Sequence, residues 1–509
     1  MRILLSVLLG LSALAAAASA TCHETTVAAS AEAGLGDIDF PNSGAAAAQP
    51  AFKRGVLLLH SFEFDAARAA FREGQQADPD FALAYWGEAL SHNRPIWGEQ
   101  DREAARAALQ RLAPTPQARA AKAGTERERA YLASVELLFG DGDKRERDAR
   151  YSEALGRLAE AYPDDLEARA LYALSLLGLT GTKRDIGNYM RAAAQAELVY
   201  ERNRRHPGAL HYLIHAYDDP VHAPLGLRAA RRYGQVAGAA SHAQHMPSHV
   251  FFALGLWDEA VQANVTSLKV ARDSGHPGYH ALEWLAYAWL QQGRTDQALP
   301  LLALVDSEVT ADPRKDRRVA LATVRATVLV ETEGDAPDSA WAPVDSTGIV
   351  SIAAFAAHDF ARGVVAALQG RRGQADDALA ALEARIGSAV VTDGAVAVRH
   401  DANTADQLTQ ARVLALALRG AMDAARGEPQ GLDRVRDARE RADALAFEYG
   451  PPWSAKPIDE LYGELLLRAG RHAEAADAFE RTLQHHPNRR LALRGLRAAR
   501  GQEKGDGGD

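Results

Sequence analysis

The 509 residues carry a formal net charge of −9, with 47% hydrophobic and 25% charged residues. That length fits several domains or a repeat array better than one hydrophobic core, and the acidic balance argues against a nucleic-acid partner, which needs a clustered basic surface. Alanine is the dominant apolar residue; it is the best helix former and lets helices approach closely, so the composition points to an all-α chain.

The chain opens with Met1-Arg2, an apolar stretch from Ile3 to Ala17, and Ala18-Ser19-Ala20, which fits a small-x-small cleavage site. Residues 1–20 therefore read as a signal peptide, and the protein is expected to be exported, to the periplasm or cell envelope. The apolar stretch is too short for a membrane span and no later segment qualifies, so no transmembrane span is expected. Cys22 is the only cysteine, which excludes an internal disulfide. A lipid anchor at Cys22 is the lesser alternative, since Ser19-Ala20-Thr21 lacks the usual leucine and the small residue before the cysteine. Residues 21–50, rich in Ala, Ser and Gly, are expected to form a flexible tether.

From residue 51 a spacing recurs. Ala51, Gly55, Leu58, Ala67, Phe71 and Pro79 set small, large, aromatic and proline residues in an order that returns near the end in Gly463, Leu466, Gly470, Ala475, Phe479 and Pro487. Gly255 to Ala260 and Gly293 to Ala298 supply the inter-helix turns of two more units, and Gly363, Gly370 and Ala375 mark another. Degenerate units are expected at 151–177 and 190–232. Small residues belong where two helices cross closely, large ones fill the holes between, and proline marks the next turn.

This pattern resembles the tetratricopeptide superfamily over nearly all of the mature length. The resemblance implies an α-solenoid of helical hairpins. Within that superfamily, Thr125 to Tyr131 and His245-Met246-Pro247-Ser248-His249 resemble an exported bacterial subgroup, and that closer resemblance implies no activity. Residues 51–330 are expected to form an N-terminal array with a His-rich groove. A linker rich in Gly, Pro, Asp and Ser follows at 331–349. A C-terminal array at 350–500 includes a hairpin of Thr404 to Arg426 and Gln430 to Tyr449, and a disordered tail ends the chain at 501–509. Arg94 to Gly124 departs from the repeat and carries an aromatic turn, Pro95-Ile96-Trp97-Gly98.

Of 17 histidines, nine lie between residues 206 and 280. His242, His245 and His249 are three and four residues apart, as are neighbours on a helix surface. His211 and His215 are four apart in the preceding unit, with Asp218 or Asp219 extending their face, and His280, Glu283 and Tyr287 take matching places in the following one. The superfamily resemblance implies that these stripes face the concave groove, where stacked helices would bring them together. His211, His215, His242, His245, His249 and His280 are the candidate metal ligands, suited as neutral imidazoles to Zn, Fe or Cu. Trp97, Tyr212, Glu283, Trp284 and Tyr287 are the candidate lining of a groove for a protein or peptide. For any single histidine, a bond to a carbonyl or a helix end is the simpler role. His92, His485 and His486 read that way, and Glu126, Glu128 and Arg129 read as a charge ladder. Pro247 is expected to start its helix, which would leave His242 and His245 in a preceding loop. No phosphate loop or G-x-S-x-G elbow is present. Three functions stay open: a protein- or peptide-binding scaffold, a metal-binding protein or metal-dependent enzyme, and a purely structural assembly role that leaves the histidines as packing.

Overall fold

The structure, a computed structural model, describes residues 34–179, 184–391, 403–445 and 449–501. The expected signal peptide, Cys22 and the tail beyond Gly501 lie outside the described residues. Nearly everything described is helical and runs as antiparallel hairpins, beginning with Gln49–His60 against Phe64–Ala77 and ending with His472–His485 against Arg490–Ala499. Many first turns are closed by a side chain that accepts a backbone N–H, as Asp101, Thr115, Asp143, Asp165, Asp185 and Thr404 do. None of the described helices is long and apolar enough to cross a membrane.

The repeat spacing acts through glycine. Phe71 is fully buried in a slot whose walls are Gly55 on its own hairpin and Gly87 on the next; a Cβ at either would collide with its ring. Phe479 is held in the same way between Gly463 and Gly495. In these two hairpins an aromatic knob thus enters a hole made by missing side chains, which sets how closely the next helix stacks.

Two stretches differ from the expected layout, and the irregular one after Leu90 keeps its expected turn. The described end of the proposed tether is packed: Leu35, Ile38 and Phe40 are buried, and the Phe40 ring lies 5.0–5.9 Å from Phe52, Trp86 and Tyr131. The irregular stretch after Leu90 forms a two-residue antiparallel ladder, Asn93–Arg94 with Glu99–Gln100, around the turn Pro95–Trp97. The core divides earlier than residue 331. One apolar cluster runs from Leu35 to Ala288, and a second begins at Tyr279 and includes the helix Lys315–Glu331. The expected linker carries a short helix, Asp338–Trp341, and buries Ala340 and Val344 in that second cluster.

Both described ends fold onto the middle of the array. The carbonyl of His60 accepts a bond from His211 at 2.7 Å. At the other end, Trp257 Nε1 donates to the Asn488 carbonyl at 3.0 Å, and the Arg490 N–H donates to Gln291 at 3.0 Å. Arg489, fully buried, donates to Tyr287, Glu331 and Glu460. The helices Pro207–Tyr217 and Tyr279–Gln291 are therefore each met by a distant part of the chain.

Candidate functional site

The histidine-bearing helices lie in that covered middle. Pro207–Tyr217 begins at His206, whose Nδ1 accepts the Ala209 N–H, and Pro207 occupies the first turn, where its missing N–H costs nothing. Every residue of this helix is buried. A helix does start at Pro247, yet His242 and His245 are not in a loop: Ser241–His245 is itself helical, and Met246 joins the two segments with helical dihedrals. The i, i+3, i+4 stripe survives the proline because Met246 N still bonds the His242 carbonyl at 3.0 Å and His249 N the Met246 carbonyl at 3.1 Å. His280 sits in the first turn of Tyr279–Gln291.

The six histidines meet as two triads. The ligand nitrogens of His211, His215 and His242 lie within 4.8 Å of one another, and so do those of His245, His249 and His280. In each triad two Nε2 atoms face each other at 3.2 Å: His242 with His211, and His249 with His245. Two nitrogens bound at 2.0–2.1 Å to one tetrahedral ion lie roughly 3.3 Å apart, so a spacing of 3.2 Å fits an N–H···N hydrogen bond and a shared cation alike.

Hydrogen bonds on the far side of the rings settle which nitrogen carries the proton. His211 Nδ1 donates to the His60 carbonyl at 2.7 Å. His249 Nδ1 donates to Asp218 at 3.2 Å, and His215 Nδ1 lies 3.8 Å from the same oxygen. His245 Nδ1 donates to Asn264 Oδ1 at 2.7 Å, and Asn264 is oriented by its own bond to the Ala260 carbonyl. With both Nδ1 atoms turned to oxygen acceptors, the Nε2 atoms of His245 and His249 face each other across 3.2 Å. Burial, reinforced by the neighbouring rings, holds His211 and His242 well below the usual imidazole range. Burial also lowers His249, although Asp218 opposes it. His215 Nε2 is buried and makes no hydrogen bond. Burial alone would raise the Asp218 carboxyl, but Arg184, then His215 and His249, hold it far below its ordinary value. An anion therefore stands behind both triads.

Aromatic rings close over the cluster. Phe62 sits at φ 57, a costly conformation for a bulky side chain, and its ring centroid is 4.2 Å from His211 and 5.5 Å from His242. Trp284 lies 4.8 Å from His245 and 4.7 Å from His249, and Tyr449 lies 4.7 Å from His249. The chain after Tyr449 can pass this close only because Gly450, at φ 96, has no Cβ to strike Trp284.

The residues expected to line an open groove do not form one. Tyr212, Trp284 and Tyr287 are buried, Tyr212 donating to His60 Nδ1 at 2.7 Å and Tyr287 accepting from Arg489 at 2.8 Å. Glu283 is partly buried, and of the four aromatic residues Trp97, 44% exposed, is the one open to solvent; its ring is 6.2 Å from His242. His60 against Tyr212, Gly450 against Trp284 and Arg489 against Tyr287 shut the lining in. His222 pairs with Asp219 instead of joining the triads, and His276 is exposed.

A third buried group has no counterpart in the sequence pattern. His60 Nε2 and His206 Nε2 donate to the two oxygens of Glu167 at 2.6 and 3.0 Å, while Tyr212 and the Ala209 N–H occupy their other nitrogens. Each ring nitrogen has a partner, so this is a hydrogen-bonded support for His211, not a ligand set.

The tetratricopeptide-repeat family profile matches residues 461–489. No curated protein sequence matches the chain. Among solved structures, yeast Tom70 is 10% identical over 89% of this chain and 88% of its own, with a TM-score of 0.33. A Rap protein complexed with competence and sporulation factor is 13% identical over 90% and 99%, at 0.35. The Cut9–Hcn1 hetero-tetramer of the APC/C is 12% identical over 90% and 78%, also at 0.35. At such scores these superpositions speak to no ligand or partner.

Proposed function

We propose that the chain is built throughout of tetratricopeptide-type repeats and is an exported scaffold, in the periplasm or cell envelope, that binds a protein or peptide partner. Stacked helical hairpins present long, side-by-side surfaces to partners, and that is what supports the reading. Trp97, a large aromatic left 44% exposed beside the histidine cluster, is the contact point it favours. A photo-crosslinking residue placed at Trp97 in the native host should give one discrete adduct, with the same residue at exposed Leu198 as the control. Identical adduct patterns from both positions would reject Trp97 as the contact.

A second reading, metal binding through the histidine cluster, is favoured by the opposed Nε2 atoms of His245 and His249. Untagged protein should carry a stoichiometric transition metal, Zn, Fe or Cu, by elemental analysis. Metal-free protein that also fails to take up any of the three would reject it.

A further inference from the structure

We infer that the cluster holds two transition-metal ions, one bound by His211, His215 and His242 and the other by His245, His249 and His280, with Asp218 as the carboxylate that positions both sets. The inference rests on the metal-binding reading and goes past it in number, ligand assignment and ion class.

The repeat itself is the reason for two. His211 to His245 and His215 to His249 are each 34 residues (245 less 211, 249 less 215), the period of a tetratricopeptide unit. A ligand pair four residues apart on one helix is regenerated on the next by the same operation that stacks the hairpins. Each pair then gains a third histidine from the chain that follows: His242 comes from Ser241–His245, and His280 from Tyr279–Gln291. Each triad keeps its own opposed Nε2 pair at 3.2 Å, so one ion cannot satisfy both.

The surroundings are those that ligand histidines need. Metal-bound imidazoles donate their other N–H to a carboxylate, carbonyl or amide oxygen, which fixes ring orientation and basicity. His211 does so to the His60 carbonyl, His245 to Asn264 and His249 to Asp218. His215 Nε2, buried without a hydrogen bond, gains in the first site the partner that burial otherwise denies it. Sets of three imidazole nitrogens suit a borderline ion of the Zn or Cu kind over Mg, Ca or Mn. Three protein ligands also leave the fourth tetrahedral position to water or another small ligand. His242 and His280 are the half-buried members and mark the side from which ions arrive.

The test uses the untagged chain, stripped with a chelator and titrated with Zn²⁺ against a chromophoric competitor, with bound metal counted by elemental analysis. Wild type should bind two equivalents. H242Q and H280Q, which change the least buried ligands, should each bind one, with unchanged far-UV circular dichroism. The H242Q/H280Q double variant should bind no tight equivalent. One equivalent in wild type would overturn the two-site inference and leave the metal reading standing; none would overturn both. Loss of both equivalents in folded H242Q would also overturn it, because the two sets would then act as one. If either variant does not fold, the wild-type count still decides.

Discussion

Replacing Arg489 by Met should destabilise the protein by about 3–5 kcal/mol, the usual loss when one partner of a buried ion pair is removed. Arg489 is fully buried and donates twice to Glu460, at 2.6 and 2.9 Å, and once each to Glu331 and Tyr287. Without it, the Glu331 and Glu460 carboxylates face a single buried ammonium, that of Lys456, which is 2.9 Å from Glu460 and already shared with Glu464. Burial would raise the Glu460 carboxyl, but Arg489 and then Lys456 bring it down to about 2. The cheapest escape for the variant is to protonate one carboxylate. From an ordinary value of about 4.3, that costs roughly 3.7 kcal/mol at pH 7, which falls inside the same range. Urea unfolding followed by far-UV circular dichroism measures the loss. Adding E460Q to R489M removes the stranded charge and should return about 1–2 kcal/mol. A loss below about 1 kcal/mol for R489M, or strictly additive single effects, would refute the view that this network ties the last hairpin to the middle of the array.

His358 sets an acid limit on stability. Burial pushes its imidazole down to about 3, with Nε2–H donating to the Ala340 carbonyl at 3.0 Å, whereas in the unfolded chain it titrates near 6.5. Between those values the unfolded state holds the extra proton, so this contribution is complete above about pH 6.5 and is lost as pH falls towards 3. At pH 5 wild type should have lost about 2 kcal/mol more than H358Q, read from paired urea midpoints at pH 7 and 5; equal slopes would contradict it. G87A should cost about 1–3 kcal/mol in the same assay although alanine favours helix, because its Cβ meets the buried Phe71 ring; a stabilised variant would contradict the slot. Zn²⁺ at 100 times its dissociation constant should raise the unfolding free energy by about 2.7 kcal/mol per site, and H245A should lose the increment from its own site. An unmoved midpoint in wild type would count against binding to the folded state.

The hairpins were legible in the sequence because their crossing geometry is written locally. Gly55 and Phe71 sit where one helix meets the next, and the same residue types recur at Gly463 and Phe479. The histidine stripes were legible for a similar reason: separations of three and four residues place side chains on one face of any helix, and even Pro247 did not break that face. His60, Glu167 and Phe62 carried no such mark. They reach the cluster from hairpins far away in the chain. The burial of Tyr212, Trp284 and Tyr287, expected on an open surface, was equally invisible. By itself the sequence determined an array of helical hairpins with imidazoles along neighbouring faces. Only the tertiary structure decided that those faces are enclosed, that the six rings gather as two triads, and which nitrogens of His211, His245 and His249 face the other rings. The reason is cumulative: each hairpin adds a small rotation to the last, and whether distant units meet depends on the sum over the whole array, which no local spacing encodes.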